Sequence, residues 1–204
     1  MLLALRDGPY VAVTALGAVL SLHYVLLEVA VPLWVAEHTN APRWTVAVLF
    51  LVNTAAVVLL QVRVAGTAGD VASSAVVARR GGLLVAASCA VFAAASGPGP
   101  GPVVAVAVLV TGALGHVAGE LLQAAGSWGL GFGLAPERAQ GQYQGLYVTG
   151  TAASHAAGPL VVTLLAVQLG TPGWVLLAAL FAAAALATPP VARWAAASRG
   201  SQEV

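Results

Sequence analysis

His116 and Glu120 stand four residues apart in a long apolar stretch, so a helix would carry an imidazole and a carboxyl on one face, about a turn from each other. A carboxyl group held away from water resists ionisation, and a neighbouring imidazole can give or take its proton. The pair is a candidate for reversible proton binding, with Glu120 as the carrier and His116 as its tuning partner. The two residues also offer two metal ligands, but no cysteine pair and no clear third ligand accompany them, so neither a metal site nor another cofactor is expected. His23, Glu28, Asn53 and His155 are further polar groups set in apolar stretches and are candidates to line a cavity. An ionisable group at mid-depth in a bilayer costs about 2.5–3.5 kcal/mol, so each needs a polar partner or water. Ser127 with His155 is the one pairing that would suit nucleophilic chemistry; no orienting group or oxyanion donor accompanies it, and no enzymatic activity is expected.

The elements that must position these groups are membrane-spanning helices. The chain has 204 residues, 60% hydrophobic and 7% charged, with a mean hydropathy of +0.93, outside the range of ordinary soluble domains. Six apolar stretches, at about 10–36, 45–62, 81–96, 103–134, 142–167 and 174–192, use nearly the whole length and predict a single all-α, polytopic six-helix domain. On that serpentine, seven of the eight arginines fall on one side, Arg43 alone lying opposite, and lysine is absent. Short arginine-rich loops stay cytoplasmic, so both termini are expected inside a multi-pass protein of the cell membrane. A net charge of +1 gives no reason to expect nucleic acid as a partner. No phosphate-cradling glycine loop with its lysine is present, which argues against a built-in nucleotide motor and leaves a gradient, or no energy source at all.

Finer expectations follow from punctuation along the chain. Ser96 to Pro102 alternates glycine and proline and must turn outside the membrane. Trp34 and Trp44 bracket the first hairpin at an interface. The segment from Asp70 to Arg80 suits a short helix on the inner surface. The fourth stretch is too long for a minimal span and must tilt, kink or break, with Gly126, Gly129, Gly131 and Gly133 marking where its inner end can bend. Gly158-Pro159 is a kink candidate in the fifth, while Gly112, Gly115 and Gly119 give the fourth a small-residue face for close helix approach.

From Thr111 to Leu160 the chain resembles the major facilitator superfamily, in particular its drug-efflux members. The resemblance rests on Gly119-Glu120 within a helix, Ala135-Pro136-Glu137-Arg138 in the next loop, Gly141-Gln142-Tyr143-Gln144-Gly145 opening the following helix, and Gly158-Pro159 at its middle. Gly66, Asp70, Arg79 and Arg80 resemble the family's motif between its second and third helices, although Val71, Ala72, Ser73 and Ser74 depart from it. Such transporters pair two six-helix halves. The resemblance implies that this chain corresponds to the second half, with its first, second, fourth and fifth helices around a pathway and its third and sixth outside. It further implies gating roles for Asp70 and Arg138, and a small-molecule substrate exchanged for protons. Residues Met1 to Pro9 resemble an inter-half linker, and a second six-helix half or a homodimer is the implied partner. A truncated remnant that does not transport, or a membrane interaction protein, is the alternative expectation.

Overall fold

The computed structural model describes residues 2–97 and 101–200; Pro98, Gly99 and Pro100 of the expected outer turn lie outside the described residues. Among the described residues, six helices are long and apolar enough to cross a membrane. They are α1 (Gly8–His38), α2 (Thr45–Ala65), α3 (Val71–Ala94), α4 (Pro102–Gly133), α5 (Glu137–Gln168) and α6 (Thr171–Arg199), and the short helix Leu2–Arg6 precedes them. The protein is thus an all-α polytopic membrane protein whose polar surface elements are reduced to short connections.

Asp70 is not the start of a separate surface helix. It caps α3, its carboxylate accepting the Ser73 amide hydrogen at 2.7 Å while the Ser73 hydroxyl takes the Asp70 amide hydrogen at 3.0 Å. This reciprocal cap satisfies donors that a helix start leaves orphaned. From there α3 runs unbroken through Arg79 and Arg80, so these arginines lie in a helix of 24 residues rather than in a loop. The polar residues Ser73, Ser74, Arg79 and Arg80 masked its first ten residues as a span. At 1.5 Å per residue α3 is roughly 36 Å long, enough to project about a turn beyond a 30 Å hydrocarbon core.

The glycines of α4 do not break it; the helix is continuous from Pro102 to Gly133. Gly112, Gly119, Gly126 and Gly133 recur every seven residues and lay a groove against α3. A Cβ at Gly119 would come within 2.8 Å of the Gly81 carbonyl oxygen, and one at Gly126 within 2.5 Å of the Ala78 amide nitrogen. Without side chains in the way, the two backbones approach closely, as small residues permit in membranes. A helix of 32 residues is roughly 48 Å long, so α4 accommodates its excess by tilt or projection instead of a break.

On the other side of the bundle α5 packs on α1 through Gly150, Ser154 and Gly158, spaced by four. A Cβ at Gly150 would meet Thr14, one at Gly158 would meet Val25, and the Ser154 hydroxyl donates to the Ala18 carbonyl. Both helices change their hydrogen-bond ladder near this contact, to π-helical turns at Leu26–Ala30 in α1 and Thr163–Gln168 in α5. Pro159, the kink candidate, supplies no amide hydrogen to the ladder four residues before the second of these. Trp34 is a second departure from expectation: it is buried, donates to the Phe92 carbonyl at 2.9 Å and packs on Trp174, whereas Trp44 is exposed as an interfacial indole should be. Helix α3 is wedged between α4 and α6, and Gly82 admits the Ala185 methyl group of α6.

Candidate functional site

Two adjoining cavities open at the middle of the bundle. The first, about 320 Å³, lies between α1, α4 and α5; its polar lining comes from Ser21, Tyr24, Gln123, Ser127, Gln144, Tyr147, Thr151 and His155. The second, about 510 Å³, lies between α2 and α4 and reaches Gln61 and Glu120, with Tyr24, Ala124 and Trp128 common to both. Helices α3 and α6 contribute no lining residue to either cavity. The four helices that carry His23 and Glu28, Asn53, His116 and Glu120, and His155 are therefore the four that surround the space.

The fold brings His23, His116 and Glu120 together. Each offers a ligand atom within 4.8 Å of the others', although His23 is 93 residues from His116 in the chain. Helical spacing aligns His116 with Glu120, and α1 supplies His23 from across the bundle. The absence of a third metal ligand, expected from spacing, is thus corrected by the fold: His23 completes the set. His23 lies roughly 22 Å along α1 from Gly8, which is the middle of the span.

Glu120 does not hydrogen bond to His116. Its Oε2 accepts the Asn53 side-chain amide at 2.8 Å, so α2 is tied to α4 at the carboxylate. Asn53 is thereby a partner of Glu120 and is not among the residues that line either cavity. Both histidines are fully buried, and their rings meet edge to face at 5.5 Å between centroids. His23 Nε2 lies 3.4 Å from the Gln123 side-chain oxygen, while His23 Nδ1 and both nitrogens of His116 have no hydrogen-bond partner among the described residues. Burying polar atoms unpaired is costly, so these ring nitrogens are left with bonding capacity that the fold does not use.

A ladder of rings continues through the core. Phe92 flanks His116, His23 lies against Tyr24 at 4.1 Å, and Tyr24 lies 5.5 Å from His155. His155 and Glu28, the remaining cavity candidates, are exposed; His155 borders the first cavity, and Glu28 is close enough to Glu120 to interact electrostatically. Ser127 accepts the Gln123 side-chain amide at 2.7 Å, which gives its hydroxyl a structural partner.

Gln123, Tyr24 and the α5 row of Gln144, Tyr147, Thr151 and His155 escaped sequence reasoning. Their signal is spacing: Gln123 follows His116 by seven residues, and the α5 residues recur at three- and four-residue intervals on one face. The gating candidates stand elsewhere. Asp70 caps α3 in solvent, its carboxyl held below the usual range by the Ser73 amide hydrogen. Arg138 is exposed on the 3-10 turn at the start of α5.

The ion pair among the described residues is Asp7–Arg199, at 3.3 Å. Asp7 also takes the Tyr143 hydroxyl at 3.0 Å and the Tyr10 amide hydrogen at 3.1 Å, and Arg199 lies over both tyrosine rings. The Tyr10 hydroxyl in turn donates to the Gly131 carbonyl. This cluster joins the start of α1, the start of α5 and the end of α6 to α4, closing the end of the bundle that carries both described chain ends.

Comparison of the chain with family models, with curated proteins and with solved structures returned no match in any of the three. The reading of its function therefore stands on the site.

Proposed function

We propose that this chain is one six-helix unit of a secondary active transporter of the major facilitator type, exporting small amphipathic compounds in exchange for protons. The observation that carries the reading is the polar, uncovered flank at mid-depth. Glu28 and His155 are exposed on helices apolar enough to span a membrane, and His155 lines a cavity walled by amides, hydroxyls and aromatic rings. Polar groups at that depth are stable only against water or protein. A second six-helix unit facing this flank, either another copy of the chain or another polypeptide segment, supplies the missing wall and encloses a water-filled pathway. Substrate would rest between Tyr24, Trp128 and Tyr147, whose rings suit an apolar body, while Gln123, Gln144 and His155 suit its polar end.

Glu120 would carry the exchangeable proton, steadied by Asn53 when ionised, with His116 and His23 close enough to tune it. Alternating access would come from rocking of the two units about this site. The arginine-rich end would face the cytoplasm, with both termini inside and the chain resident in the cell membrane. The Asp7–Arg199 cluster would then act as an inner latch.

Reconstitution in proteoliposomes tests the reading. With a pH gradient imposed, a fluorescent amphipathic cation should move against its own gradient. Purified protein, alone and with a coexpressed six-helix partner, that moves no such compound under any gradient would refute it and favour a structural membrane protein.

A further inference from the structure

We propose that His23, His116 and Glu120 form a binding site for one divalent first-row transition-metal ion, of which Zn²⁺ is the simplest probe. The inference does not depend on the transport reading: a bound ion needs Glu120 ionised and both imidazoles neutral, so it would compete with a proton on Glu120. Two imidazoles and a carboxylate are a ligand set that suits such ions, and three protein ligands leave a coordination position open. The ligand atoms lie within 4.8 Å of one another, so a point among them is about 2.8 Å from each; side-chain rotations of about 0.7 Å reach the roughly 2.1 Å of a zinc–nitrogen bond.

The second observation is independent of spacing. His116 is fully buried with neither ring nitrogen partnered, and His23 is fully buried with Nδ1 unpartnered. A metal ion satisfies one nitrogen on each ring. The surrounding contacts are those that orient ligands: Asn53 donates to Glu120 Oε2, and Gln123, itself held by Ser127, lies 3.4 Å from His23 Nε2. Glu120 itself lines the second cavity, through which water or an exchanging ligand can arrive.

The test uses full-length protein without a polyhistidine tag, purified in detergent, stripped with chelator and desalted. Titration with Co²⁺ should produce the visible absorption of a low-coordinate nitrogen–oxygen site, saturating at one ion per chain and bleached by Zn²⁺. His116→Gln and His23→Gln should each weaken binding by about tenfold or more, whereas His155→Gln should leave it unchanged. Wild-type protein that elutes as a single species with full helical circular dichroism yet takes up neither metal would overturn the proposal. So would unaltered binding in the folded His23→Gln/His116→Gln double variant. Because binding is read in detergent without a gradient, its failure is separable from failure of the flux assay.

Discussion

Replacing Gly126 with alanine tests the packing that sets the geometry of the whole site. The new methyl would lie 2.5 Å from the Ala78 amide nitrogen, 2.6 Å from the Ser74 carbonyl oxygen and 2.7 Å from Ala78 Cα, all backbone atoms of α3. Ordinary contact begins near 3.4 Å, so the two helices must separate locally by about 0.9 Å. Overpacking of this kind costs about 1–3 kcal/mol, against a helix-propensity gain of at most about 1 kcal/mol for glycine to alanine. Gly115→Ala is the internal control, because its nearest neighbour would be Ser88 Cβ at 3.9 Å and only the propensity gain applies. Thermal unfolding in detergent micelles, followed by loss of the monodisperse elution peak, should show Gly126→Ala below wild type by several degrees and Gly115→Ala at or above it. Equal midpoints for Gly126→Ala and wild type, or shifts of the same sign in both variants, would refute the close approach of α3 and α4.

Other perturbations give equally direct readouts. Glu120→Gln should leave the protein folded and retain the Asn53 contact, yet make substrate flux insensitive to an imposed pH gradient; flux that still follows the gradient removes Glu120 from coupling. Asp7→Asn and Arg199→Gln should each lower stability by about 1 kcal/mol or less, as partly exposed ion pairs do, and the double variant should cost less than their sum; strict additivity in a double-mutant cycle would show that the pair is not coupled. The Asp70 carboxyl is held below its ordinary range, so its stabilisation of α3 is present above the unfolded aspartate pKa and is lost as pH falls through the lower folded value. Hydrogen exchange at the Ser73 amide should therefore gain protection from the cap at neutral pH and lose it only in strong acid, and Asp70→Ala should remove it at every pH; an acid-insensitive amide would contradict the cap.

The apolar runs revealed the six helices because a bilayer demands length and hydrophobicity, and both are local properties. Helix α3 was misjudged for the same reason: Ser73, Ser74, Arg79 and Arg80 lower its local hydropathy, whereas its start is decided by the Asp70–Ser73 cap. Gly126, Gly129 and Gly133 also form an interface with α3, since a glycine that invites a kink in an isolated helix is also what lets a neighbouring backbone approach. The site was half legible. His116 and Glu120 face each other by helical period, but the arrival of His23 and Asn53 depends on how α1 and α2 pack against α4, which no spacing encodes. The Asp7–Arg199 pair, 192 residues apart in the chain, was invisible on the same grounds.

The central claim is that α1, α2, α4 and α5 surround a wet pathway while α3 and α6 are turned away from it. Substituted-cysteine accessibility in intact membranes measures this directly. The native Cys89 is fully buried and serves as an unreactive background. With single cysteines at Ser127 and Thr151 in the cavity, and at Val175 and Leu186 on the exposed apolar surface of α6, the account predicts that a small charged thiol reagent labels the first two and spares the last two. Cavity positions that stay as unreactive as those on α6 would contradict it.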